Sequence, residues 1–130
     1  MKLTNYNKII SANWKMNGSL SLIDDFKRFF IKDYEDINKD VAIIICPPAT
    51  YLYKFNKIIK NYSNIFIGAQ DCSNKKNSAR TGDISASILN DIGCEYVIIG
   101  HSERRNYYNE SNTLIFEKIN CALQNNLKII

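Results

Sequence analysis

The chain has 130 residues, 45% of them apolar and 23% charged, with a formal net charge of +4. That length is about one domain with a real hydrophobic core, and the composition excludes a disordered chain. The basic residues are scattered apart from the pairs Lys27-Arg28, Lys75-Lys76 and Arg104-Arg105, which argues against a nucleic-acid binder. No run approaches the roughly 20 apolar residues of a membrane span. Met1 to Asn7 has no apolar leader core, so the sequence reads as cytosolic (cytoplasmic). Cys46, Cys72, Cys94 and Cys121 have no CxxC spacing and are expected to be small buried or half-buried thiols rather than zinc ligands or disulfides.

Lys8-Ile9-Ile10-Ser11-Ala12-Asn13 reads as a short first strand. Leu22, Ile23, Phe26, Phe29 and Phe30 then recur at helical spacing, behind Ser19 or Ser21 as N-cap. Val41-Ala42-Ile43-Ile44-Ile45-Cys46 is a second strand, β-branched and apolar, and Pro47-Pro48 stops it. Thr50 is placed to cap a helix whose apolar face includes Leu52, Phe55, Ile58 and Ile59. Ile65-Phe66-Ile67-Gly68-Ala69 is a third strand, and Asp71 to Asp83 a polar loop. Ile84 to Ile92 reads as a short helix closed by Gly93, where a left-handed residue is wanted. Tyr96-Val97-Ile98-Ile99-Gly100 is a fourth strand. Ser111 opens a helix with Ile115, Ile119, Ala122 and Leu123 on one face, and Asn125-Asn126 can end it because asparagine tolerates the left-handed conformation. Leu127-Lys128-Ile129-Ile130 opens a fifth strand.

The strands are continuously apolar rather than alternating, which predicts burial on both faces and a parallel sheet covered by helices. Strand and helix alternate with short connections, so the class is α/β; pattern alone does not choose between an open doubly wound sheet and a barrel. The chain stops inside an apolar strand, whose edge is expected to be covered by further chain or by another copy.

Three segments leave strand ends, where such folds place their active sites. Asn13-Trp14-Lys15-Met16-Asn17-Gly18 leaves the first strand, and Lys15 there either holds an anion or is a solvated loop lysine. Gly100-His101-Ser102-Glu103-Arg104-Arg105 leaves the fourth. His101 is the single histidine of the chain and stands before a helical turn with Ser102 as candidate cap. The positive end of that turn favours a neutral imidazole, able to polarise a carbonyl; the alternative is a satisfied structural histidine. The third segment is the loop from Gly68-Ala69-Gln70-Asp71-Cys72 to Thr81-Gly82-Asp83, long enough to suggest a function beyond connection.

These blocks, together with Ile84-Ser85-Ala86 and Ile92-Gly93-Cys94-Glu95-Tyr96-Val97-Ile98-Ile99, resemble the triosephosphate isomerase family, in order and spacing along the whole chain. The resemblance implies a (β/α)₈ TIM barrel of which residues 1–130 are the N-terminal half of a single domain: the first four strand–helix units and the opening of the fifth strand. It implies a triose-phosphate isomerase of glycolysis and gluconeogenesis, interconverting dihydroxyacetone phosphate and glyceraldehyde 3-phosphate through an enediolate. Neither cofactor nor metal is expected. By resemblance, Asn13 and Lys15 bind the substrate, Lys15 supplies positive charge, His101 is the electrophile and Glu103 supports Lys15. Thr81, Gly82 and Asp83 belong to a loop that enters the second subunit of a homodimer. That loop usually reads Gly-Ala-Phe-Thr-Gly-Glu and here reads Ser78-Ala79-Arg80-Thr81-Gly82-Asp83. The family's catalytic glutamate, lid loop and glycine-rich phosphate loop lie beyond the fifth strand, so the base is absent from this chain and the 130 residues alone are expected to be inactive. A second reading, of another class, is a phosphate-binding module that uses Lys15 without chemistry.

Overall fold

The computed structural model describes residues 6–30, 32–34 and 39–130. Residues 1–5, part of the stretch read for a leader, lie outside the described residues. Strand β1 (Lys8–Asn13) is followed by helix α1 (Leu20–Asp25) and a π-helical turn, Phe26–Phe30. Then come β2 (Val41–Cys46), a 3₁₀ turn (Ala49–Tyr51), α2 (Leu52–Ile59) and β3 (Ile65–Ala69). The remainder is α3 (Ala86–Asp91), β4 (Tyr96–Val97), α4 (Ser102–Tyr107), α5 (Asn112–Gln124) and β5 (Lys128–Ile129). Among the described residues no helix is long and apolar enough to cross a membrane.

The five strands pair in sequence order and in parallel, β1-β2-β3-β4-β5. That order decides what pattern alone left open. A doubly wound sheet reverses its strand order at a switch point, whereas each strand here adds to the same edge, as in the wall of a barrel. The alternation along β2 sorts the core into two layers. Ile45 faces the helices with Phe55, Ile67, Leu89 and Val97, while Ala42, Ile44 and Cys46 join Phe66, Tyr96 and Ile98 on the inner side. Leu52, Phe55 and Ile59 of α2, spaced by three and four residues, are all buried against the helix-facing layer. Each such fully buried side chain contributes about 1.5–3 kcal/mol relative to exposure.

Several expectations need correction. Two-sided burial holds for β3 but fails for β1, where Ile9 and Ile10 are exposed. Among the described residues β1 pairs only with β2, so its other edge and its inner face meet no strand. Ser19 is the cap of α1, its Oγ accepting the Leu22 N–H at 3.0 Å, but Leu22 and Phe29 point outward. The wider π turn carries Phe29 off the inward face while Phe26 and Phe30 stack at 4.6 Å. Thr50 caps nothing: it lies within the 3₁₀ turn that follows Pro48, and α2 starts only at Leu52. Ser85 caps α3 and Ser111 caps α5, each accepting the N–H three residues on. On α5 the buried positions are Ile115, Lys118 and Ala122, which leaves Leu123 exposed. Regular pairing of β4 ends at Val97, although the Ile98 and Ile99 N–H groups still donate to Ala69 and Ile130. Gly100, at φ +69°, then turns the chain toward α4.

Candidate active site

The C-terminal ends of β1, β3 and β4 open on one groove of about 880 Å³, and Asn13, Lys15, Gln70, His101 and Glu103 all border it. Lys15 has φ +53°, a left-handed conformation that non-glycine residues adopt at a cost of order 1–3 kcal/mol. Its two peptide groups are held from opposite sides. The Lys15 N–H donates to Asn13 Oδ1 at 2.9 Å, and the Lys15 carbonyl accepts from Gln70 Nε2 at 2.8 Å. The same Gln70 nitrogen donates to the Cys46 carbonyl at the end of β2 at 2.9 Å, so both of its hydrogens are used. The turn thus made carries the Lys15 ammonium to Glu103 Oε1 at 2.7 Å. That hydrogen bond holds the Glu103 carboxyl below the usual carboxylate range.

The sequence reading placed the cap of α4 on Ser102; the structure places it on His101. His101 has extended backbone angles (φ −51°, ψ 143°), whereas Ser102 is already helical. Its Nδ1 accepts the Glu103 N–H at 3.2 Å and also lies 3.4 Å from Glu103 Oε2. The two contacts ask opposite things of the nitrogen. A backbone N–H can only be accepted by a bare Nδ1, and Glu103 already spends its charge on Lys15, so the first contact sets the tautomer. The ring proton is then on Nε2, which leaves a neutral imidazole with one N–H donor at the groove.

Behind the groove lies an ionic network that sequence reasoning missed. Lys118, buried on α5, binds Asp71 at 2.7 Å and Glu110 at 2.6 Å, and Arg104 binds Glu110 at 2.7 Å and Asp71 at 3.1 Å. Burial raises the Asp71 carboxyl above its usual range despite these cations. For Glu110 burial pushes the same way, but the hydrogen bonds from Lys118 and Arg104 outweigh it and the carboxyl is held low. Asp71 directly follows Gln70 and Arg104 directly follows Glu103. The network therefore ties together the two segments that support Lys15. One signal was available: Lys118 occupies the apolar line of α5, between Ile115 and Ala122.

The predicted dimer-contact residues sit across the groove. Gly82 and Asp83 border it, and Thr81 is exposed at the loop tip. Burial raises the Cys46 thiol to about 11 and those of Cys72 and Cys94 to about 12, which leaves them inert. Every carboxylate lining the groove is engaged by a cation: Glu103 by Lys15, Asp71 by Lys118 and Arg104, and Asp83, at 3.8 Å, by Arg80. Among the described residues no cluster of three His, Cys, Asp or Glu could hold a metal ion.

The family profile described as triosephosphate isomerase matches residues 8–130. Triosephosphate isomerase of Aquifex aeolicus is 41% identical over 123 residues, covering 95% of this chain and 49% of that protein. The Dictyoglomus thermophilum protein of the same name is 47% identical over 118 residues, covering 88% and 45%. The crystal structure of triosephosphate isomerase from Bartonella henselae superposes with a TM-score of 0.82 at 35% identity, over 93% of this chain and 49% of that one. The chain spans about half the length of the curated relatives it matches. Its parallel sheet is accordingly half of a TIM barrel, and with the profile matched over almost its whole length, the chain belongs to the triosephosphate isomerase family.

Proposed function

We propose that the protein, at its natural length, interconverts dihydroxyacetone phosphate and glyceraldehyde 3-phosphate by proton transfer through an enediolate, without metal or organic cofactor. The observation that carries this reading is the convergence of Lys15, Glu103 and His101 at the strand ends, with Lys15 held at a left-handed backbone angle and paired to Glu103 at 2.7 Å. In this reading Asn13 and Lys15 bind the substrate, and the ammonium offsets the phosphate and the charge that develops on the enediolate. Glu103 aims Lys15 across the groove. His101 donates from Nε2 to the substrate's carbonyl oxygen; because it starts neutral, it stabilises negative charge there without first giving up a proton.

The proton must be taken by a base within hydrogen-bond reach of the carbon acid. The carboxylates lining the groove are each held by a cation, Glu103 by Lys15, Asp83 by Arg80 and Asp71 by Lys118 and Arg104, so none is free to turn onto a carbon acid, and the role falls to a residue outside these 130. The protein acts in the cytoplasm as a homodimer whose contact includes Thr81, Gly82 and Asp83 of the 71–83 loop. The test is a coupled assay of dihydroxyacetone phosphate conversion by the natural-length protein. Turnover is expected, and His101→Gln should lower kcat by about a hundredfold while KM changes little, since a donor used mainly in the transition state is removed. Binding of substrate with no turnover would instead support the phosphate-binding module.

A further inference from the structure

The 71–83 loop departs from its family's usual sequence at Ser78, Arg80 and Asp83, and its tip is exposed throughout. A loop of this kind, with no apolar anchor at its tip, is ordinarily mobile. Here a closed chain of polar contacts holds it. Asn74 donates from Nδ2 to Glu117 Oε2 on α5 and accepts from Arg80 Nη1 at 2.7 Å. The same Arg80 nitrogen lies 3.8 Å from Asp83 Oδ2, which accepts from Ser73 Oγ at 2.8 Å. The Ser73 N–H closes the base of the loop on the Ile84 carbonyl at 2.8 Å. The contacts thus run from α5 through Asn74, Arg80 and Asp83 back to Ser73. Arg80 is the hub, and both of the groups it touches belong to its own loop. An aromatic ring at this position has no donor for either.

We propose that Arg80 is a positioning residue that fixes the docking shape of the 71–83 loop from within its own chain, before any second copy meets it. The consequence for assembly rests on the homodimer reading; the consequence for the loop does not. A loop already ordered in the free subunit loses less conformational freedom on association, so the brace lowers the cost of dimer formation.

The loop carries its own probe, because trypsin can cut after Lys75 and Lys76. In the natural-length protein under native conditions, Arg80→Ala is expected to speed cleavage at those two bonds about threefold, because the contacts it removes are open to solvent. The dimer dissociation constant, from sedimentation, should rise by about the same factor. Asn74→Leu removes the same bond to Arg80 and also the anchor to Glu117, so it should raise both quantities at least as much, and the double variant should fall short of the product of the two single effects because the Arg80–Asn74 bond can be lost only once. Equal cleavage of Arg80→Ala and wild type would overturn the proposal. Faster cleavage with an unchanged dissociation constant would overturn its link to assembly. Faster cleavage in a protein that is monomeric throughout would uphold the brace and discard the dimer.

Discussion

Replacing Lys15 with alanine in the natural-length protein is expected to lower kcat/KM by about a thousandfold, ~4 kcal/mol of transition-state stabilisation, with the fold intact. The size of the effect follows from where the charge sits. Lys15 is about half exposed, and its pair with Glu103 is at the surface, so the pair contributes little to stability. The molecule nonetheless holds Lys15 at a strained backbone angle through Asn13 and Gln70. Backbone strain of this kind is kept where a function uses it, and in the proposed reaction it aims the ammonium into the groove. Circular dichroism and the denaturation midpoint should match wild type. Near-normal turnover, or loss of activity only through unfolding, would remove Lys15 from the mechanism.

The second large effect is on stability. Lys118→Met should destabilise the fold by about 3 kcal/mol, because it leaves the buried carboxylate of Glu110 and the half-buried one of Asp71 sharing the Arg104 guanidinium alone. Methionine keeps the volume, so a loss of packing is not what is measured. The check is the midpoint of urea unfolding at an unchanged slope. Adding Glu110→Gln to Lys118→Met should recover part of the loss, since it removes one of the stranded charges. A loss below about 1 kcal/mol, or a double variant worse than the single, would mean that the network is solvated and holds nothing in place.

How far the sequence alone reached can be judged on particular residues. The strands of the sheet and the caps Ser19 and Ser111 were legible because they depend on local chemistry: β-branched runs, and hydroxyls placed to accept an N–H three residues on. Lys15 and His101 were legible as strand-end residues and Glu103 only through the resemblance, and the structure brings all three to one groove. The failures have separate causes. The outward turn of Leu22 and Phe29, and the capping of α4 by His101 rather than Ser102, depend on the register at which a helix starts or widens, which a one-residue shift changes. Gln70 and the network of Asp71, Arg104, Glu110 and Lys118 were missed because their partners are far apart in sequence. Gln70 meets Lys15 across 55 positions and Lys118 meets Asp71 across 47, and no local pattern encodes such a pairing. Exposure of β1 does not follow from the strand's composition, which does not tell whether its second edge is covered; it follows only from the half-barrel that the resemblance implies, in which β1 lacks a neighbour.

The central claim is that these residues supply the positive charge and the electrophile of an isomerase site but no base. The most direct test is a coupled assay of dihydroxyacetone phosphate conversion by a purified polypeptide of residues 1–130, cleared of host isomerase, beside the natural-length protein. Turnover is expected of the natural-length protein and, for the 130 residues alone, no rate above that of buffer. Turnover by residues 1–130 that disappears on His101→Gln would contradict the claim, and would mean that one of the paired carboxylates at the groove takes the proton after all.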